Sequence, residues 1–125
     1  MNIAIAHAGT DAAVVTVTGQ LDIDTAPTLS DAFDELAAGA VTRIVADLSG
    51  LEFCDSIGLS AFVVAQRRCT DAGGWVRIAA PTPFLVRLLS IVGVADTVPM
   101  YRTIEGADRD DATDRIPPVT DGVAA

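Results

Sequence analysis

The chain has 125 residues, half of them hydrophobic, and seventeen acidic residues stand against eight arginines with no lysine. A chain of this length can bury one core, so we expect a single compact domain. The net charge of −9 argues against binding to nucleic acid, because phosphate backbones are held by clustered basic side chains. No apolar run approaches the roughly 20 residues of a membrane span, and the N-terminus lacks the basic start of a signal peptide. The sequence therefore predicts a cytoplasmic protein without membrane contact.

The first third of the chain predicts a hairpin followed by a helix. Two stretches rich in Val and Thr, residues 3–7 and 13–18, are joined by a turn-like link and are typical of paired strands. Thr25 is expected to cap the following helix, with Pro27 in its first turn, where a missing N–H costs little. Gly39 is expected to end it.

The rest of the domain alternates strands and helices. We expect strands over residues 43–48, 75–80 and 97–101, and helices that begin after Ser56 and after Thr82. A hairpin followed by strand–helix–strand crossovers predicts an α/β fold, with a mixed β-sheet of about five strands and helices packed against it. The predicted domain covers residues 1–105. Residues 106–125 are acidic and broken by proline, and they predict a disordered tail.

The segment from Asp47 to Leu59 places a serine where a strand's carboxyl end meets a helix's amino end. Apolar residues fill both faces of the preceding strand, and a helical period begins after Ser56. The first N–H groups of a helix lack intrahelical partners and favour oxygen ligands and phosphate. From its position alone, Ser56 could be a helix cap, a nucleophile or a phosphoacceptor.

The run Phe53-Cys-Asp-Ser-Ile-Gly-Leu59 resembles the phosphorylation signature of the STAS family of anti-sigma factor antagonists. Gly19-Gln-Leu-Asp22 and the helix end at Leu88-Leu-x-x-Val-Gly93 follow in the family's order, so that the resemblance covers about residues 3–104. It implies a single STAS-like domain without a cofactor and without catalysis of its own. Cys54 stands where members of the family usually carry Met or Leu.

The resemblance also implies a set of partners. An anti-sigma factor that is an ATP-dependent serine kinase would phosphorylate Ser56, and a metal-dependent serine phosphatase would remove the phosphate. The unphosphorylated form would bind the anti-sigma factor and free a sigma factor, and would so control transcription without direct contact with nucleic acid. The oligomeric state stays open.

The expected partner-binding surface gathers around the serine loop. Its residues are Asp22, Asp24, Asp55, Ser56, Ile57, Gly58 and Ser60, with Ser56 as the phosphorylation site. Asp22 and Asp24 could equally be turn residues that accept backbone hydrogen bonds. Arg67 is a further candidate contact, whereas Leu59, Phe62 and Val63 form the apolar stripe of a core-facing helix.

Two other functions compete with this interpretation. A hydrolase could carry its nucleophile on a strand–helix turn, but Cys54 replaces the glycine of a nucleophile elbow, and no motif links the single histidine, His7, to Ser56. A STAS-type nucleotide-binding or other regulatory module remains the alternative, although the chain has neither a phosphate-binding glycine loop nor a lysine to serve one.

The two cysteines do not predict a metal site. Cys54 and Cys69 are separated by a predicted helix and lack the paired Cys or His ligands of a zinc site, so we expect reduced thiols and no metal. Cys54 is expected to be a small buried hydrophobe. Redox control through its thiol is a separate hypothesis.

Overall fold

A computed structural model describes residues 1–119 and arranges them as a mixed sheet with helices on both faces. The strands of this part of the chain are β1 (Asn2–His7), β2 (Ala12–Leu21), β3 (Arg43–Asp47), β4 (Leu51–Cys54), β5 (Trp75–Ala79), β6 (Met100–Tyr101) and β7 (Arg115–Ile116). The helices are α1 (Ala26–Ala38), α2 (Ser56–Asp71), α3 (Pro83–Ile91) and α4 (Ile104–Arg109), with a 3-10 turn at Val94–Asp96. The predicted α/β class is confirmed.

The order of strands across the sheet is β1-β2-β3-β5-β6-β7. The hairpin of β1 and β2 is antiparallel, and so is the last pair, β6 and β7. The pairs between them are parallel. Strands β3 and β5 are buried on both faces, which explains their nearly continuous apolar sequences.

Strand β4 is one of two strands that the sequence did not predict. After β3 the chain makes a turn in which the Leu51 N–H donates to the Leu48 carbonyl (3.1 Å). It then continues as β4 beside the carboxyl end of β2, where Leu21 pairs with Cys54. This second pairing of β2 brings the serine loop to the carboxyl edge of the sheet.

The main core lies between the sheet and helices α1, α2 and α3. Phe33 of α1 meets Phe62 of α2 edge-on, with ring centroids 5.9 Å apart, and Leu85 and Leu89 of α3 are fully buried. Phe84, although apolar and in the first turn of α3, is half exposed. The stripe of α3 that faces the core is therefore narrower than its apolar sequence suggests.

The C-terminal segment corrects the predicted boundary at residue 105. Helix α4 covers the second face of the sheet, where Ala107 packs with Val45, Ala79 and Tyr101. Strand β7 pairs with β6, and Arg77 Nη1 donates to the Ala107 carbonyl (3.0 Å). The acidic composition of residues 106–119 predicted disorder. The sequence shows no apolar pattern for α4, because this helix buries only small residues. Residues 120–125 of the predicted tail lie outside the described residues.

Candidate functional site

Ser56 is the first residue of α2, and its side chain is exposed. The capping position belongs to Asp55, whose carboxylate accepts a hydrogen bond from the Gly58 N–H (2.8 Å). A helix needs one such N-cap, so the reading of Ser56 as the cap is wrong. The Ser56 hydroxyl is displayed at a helix start without having a capping role.

Close contact with β2 fixes this loop. The Asp55 N–H donates to the Leu21 carbonyl (3.1 Å). A Cβ on Gly58 would lie 2.7 Å from Leu21 Cγ and 3.0 Å from the Leu21 carbonyl oxygen. Gly58 is therefore buried against β2, and its contribution to a partner surface is to hold the first turn of α2 down on the sheet.

Asp22 belongs to the turn that leads from β2 into α1. Its carboxylate accepts hydrogen bonds from the N–H groups of Asp24 (3.0 Å) and Thr25 (3.1 Å), which is the usual role of Asp in a turn. The Thr25 hydroxyl accepts from the Asp22 N–H (2.8 Å) rather than capping α1. Because Leu21 contacts Asp55, this turn borders the serine loop.

The remaining predicted contacts are exposed. Asp24, Ile57, Ser60 and Arg67 all lie at the surface, and the Ser60 hydroxyl donates to the Ile57 carbonyl (2.6 Å). Ser60 is thus engaged within its own helix, in contrast to Ser56. Arg67 lies three turns further along α2, away from the serine loop.

An exposed apolar surface lies beside Ser56, and of its four residues only Ile57 was among the expected partner contacts; we call it the apolar platform: Ile23, Phe53, Ile57 and Phe84. The rings of Phe53 in β4 and Phe84 in α3 are stacked, with centroids 6.3 Å apart. Phe53 is 44% exposed, Phe84 50%, Ile57 52% and Ile23 60%. Contiguous exposed apolar side chains mark interaction surfaces. Phe53 was interpreted only as part of the phosphorylation motif.

Cys54 lies beneath the loop and is 1% exposed. Burial, with a smaller contribution from the charge of Asp55, raises the pKa of its thiol to about 12. A thiol that stays protonated is a poor nucleophile, which supports the packing role and leaves the redox hypothesis without a reactive group. Asp47, at the end of β3, accepts from the Ser49 N–H (3.0 Å) and orders the preceding turn.

His7 lies too far from Ser56 to act as its base. It pairs with Ala13 near the start of β2, whereas the serine loop contacts Leu21 at the other end of that strand. Eight residues of extended strand span roughly 25 Å. Ser56 therefore has no histidine beside it, which removes the basis of the hydrolase hypothesis.

No group of three or more His, Cys, Asp or Glu side chains in residues 1–119 is placed to hold a metal ion. Among the helices of those residues, none has the length and apolarity to cross a membrane.

Comparison with known proteins agrees with this architecture. The family model described as "Mlab, STAS domain" matches residues 5–101. The anti-sigma-B factor antagonist of Bacillus subtilis is 31% identical over 93 residues, which is 74% of this chain and 84% of the relative. The anti-sigma-F factor antagonist RsfB of Mycobacterium tuberculosis is 27% identical over 95 residues, covering 76% of this chain and 77% of the relative.

A solved structure adds the fold-level comparison. The crystal structure of an anti-sigma factor antagonist from Mycobacterium paratuberculosis superposes with a TM-score of 0.78 at 28% identity, over 87% of this chain and 92% of that one. A mixed sheet with an exposed loop at the start of α2 is thus a STAS architecture. The chain belongs to the STAS domain family, whose members similar to it include anti-sigma factor antagonists.

Proposed function

We propose that this chain is an anti-sigma factor antagonist that is switched by phosphorylation at Ser56. In the unphosphorylated form it binds an anti-sigma factor, itself a serine kinase, and so releases a sigma factor. The observation that carries the proposal is the exposed Ser56 hydroxyl. Asp55, and not Ser56, is the N-cap of α2. The chain is then a substrate of the kinase, not an enzyme.

The exposed position of Ser56 suits a kinase substrate. A kinase must bring the hydroxyl in line with the γ-phosphate of ATP, and a side chain at the first position of α2 can be reached without unfolding the helix. The same exposure gives a serine phosphatase access to the phosphorylated side chain. Ser60 is less suitable, because its hydroxyl donates to the Ile57 carbonyl (2.6 Å).

The apolar platform supplies binding energy for the unphosphorylated state. Its four side chains come from β4, α2, α3 and the turn after β2. Aromatic anchors commonly dominate the energy of protein interfaces, and the stacked rings of Phe53 and Phe84 provide such an anchor. The partner face is therefore expected to be largely apolar opposite this platform.

Phosphorylation would act locally. A phosphate adds about −1.5 to −2 charges beside Asp55, next to the turn that carries Asp22 and Asp24, in a chain whose net charge is already −9. The first N–H groups of α2 can donate hydrogen bonds to the phosphate without refolding. Its charge and bulk at the edge of an apolar interface would then oppose partner binding, because a desolvated charge without a matching cation is costly.

Phosphorylation mapping tests the site. The full chain, the Ser56→Ala variant and the matched control Ser60→Ala are incubated with ATP and each candidate anti-sigma factor kinase, and the phosphorylated residue is located by mass spectrometry. We expect phosphate on Ser56 in the natural chain and in Ser60→Ala, and none in Ser56→Ala. Phosphate at another residue, or its absence with every candidate kinase, would contradict the proposal.

A further inference from the structure

A cavity lies between α1 and α2, at the end of α2 that is distant from Ser56. Its volume is about 190 Å³. Phe33 and Ala37 of α1 and Ala65 and Cys69 of α2 form its walls, and Ile44 of β3 lies at its base. Ala37, Ala65 and Cys69 carry small side chains, so the two helices leave between them a space that the core does not fill.

The lining determines what the cavity can hold. Apart from the Thr42 hydroxyl and the guanidinium of Arg68, the side chains around it are hydrocarbon or thiol. Arg68 Nη1 is 2.8 Å from Asp34 Oδ1, and both side chains are about half exposed, so this ion pair joins α2 to α1 at the surface. An apolar cavity of about 150 Å³ stays dry and binds benzene. The cavity here is partly open to solvent, and its mainly apolar walls favour a small apolar molecule over the water that otherwise enters it.

We propose that the cavity between α1 and α2 is a binding site for a small, uncharged apolar ligand. The gain comes from contacts with walls that are otherwise incompletely packed. The site is independent of the phosphorylation proposed for Ser56, because the two lie at opposite ends of α2. A ligand bound there stabilises the folded chain, since it binds the native state only.

The two cysteines provide an internal comparison for this site. Both are buried, and burial raises the pKa of each thiol. Cys69 lines the cavity, whereas Cys54 lies under the serine loop and is not part of its lining. A small neutral thiol reagent should therefore reach Cys69 without unfolding, and it should reach Cys54 only when the chain opens.

Benzene is the probe for a direct test on the full chain. Titration followed by amide chemical shifts should give saturable changes in residues that line the cavity. Ala65→Leu, which fills the cavity, should abolish them, while the control Val64→Leu, on the exposed side of the same helix, should keep them. Shifts that fail to saturate, or that persist unchanged in Ala65→Leu, would overturn the proposal.

Thiol modification keeps the test decisive if Ala65→Leu does not fold. The natural chain is treated with methyl methanethiolsulfonate, with and without benzene, and the modified cysteines are identified by peptide mass spectrometry. We expect Cys69 to react faster than Cys54, and benzene to slow the reaction of Cys69 alone. Equal rates for the two thiols, or no protection of Cys69 by benzene, would overturn the proposal.

Discussion

The Asp55 carboxylate accepts the Gly58 N–H at 2.8 Å and so bridges over Ser56, the residue at which α2 begins. One acidic side chain thereby provides the cap, and the neighbouring hydroxyl is left at the surface. The backbone of the same aspartate is held to the Leu21 carbonyl of β2. The position of Ser56 thus depends on Asp55 more than on any contact of its own side chain.

Replacing Asp55 by Ala should lower the free energy of unfolding by about 1 kcal/mol, because an N-cap is lost. Denaturant unfolding measures the change. Asp24→Ala is the matched control, since within residues 1–119 no hydrogen bond or ion pair of the Asp24 carboxylate is found, and it should leave the free energy nearly unchanged. Equal effects of the two substitutions would show that the cap contributes nothing.

Replacing Phe84 by Ala should weaken binding to the cognate anti-sigma factor about tenfold or more, as expected for an aromatic anchor. The folded state should change little, because the ring is half exposed and packs on Phe53. Calorimetric titration measures the affinity. Val64→Ala serves as control, being 54% exposed on α2 outside the apolar platform, and an equal loss in both variants would contradict a platform role.

The Cys54 thiol predicts a specific dependence of stability on pH. Its pKa is raised from the usual 9.0 to about 12 in the folded chain, so the unfolded chain loses this proton first as the pH rises. The contribution of this thiol to the free energy of unfolding is complete below pH 9 and is lost towards pH 12, at ~1.4 kcal/mol per pH unit. Between pH 9 and 11, the free energy of unfolding should fall with pH less steeply for the Cys54→Ala variant than for the natural chain, by ~1.4 kcal/mol per pH unit. Parallel pH profiles for the two chains would contradict the shift.

Ending the chain at residue 105 tests the role of the C-terminal elements. The cut removes most of α4 and all of β7, and so uncovers Tyr101, whose hydroxyl donates to the Asp110 carboxylate. Compared with a chain that ends at residue 119, the free energy of unfolding should fall by at least about 2 kcal/mol, the usual cost of exposing a large apolar side chain. Identical denaturation midpoints would mean that the domain ends where the sequence predicted.

The predictable parts of this fold are those whose signals are local. Pro27 and Gly39 bound α1, the Val and Thr stretches form the hairpin, and Ser56 stands at a strand–helix junction, all as the sequence indicates. The motif also located the serine loop. The cap of α2 was not predicted correctly: the sequence offered Ser56, and the adjacent Asp55 takes this role because Asp is an equally good cap.

Other features depend on contacts between distant parts of the chain. Gln66 of α2 is buried, and its amide bonds to the backbone of two other segments: its Oε1 accepts from the Val76 N–H (2.6 Å), and its Nε2 donates to the carbonyls of Val76 (2.9 Å) and Thr97 (3.0 Å). Strand β6 begins at Met100, three residues later than expected, and the Thr97 carbonyl before it accepts from Gln66. Helical periodicity carries no information about such a partner.

The affinity of the chain for its cognate anti-sigma factor, measured by calorimetry before and after phosphorylation of Ser56, tests the central claim most directly. The unphosphorylated chain and Ser56→Ala should bind with similar affinity. The phosphorylated chain and Ser56→Asp should bind at least about tenfold more weakly, which corresponds to roughly 1.4 kcal/mol. Equal affinity of all four forms would contradict a switch at Ser56.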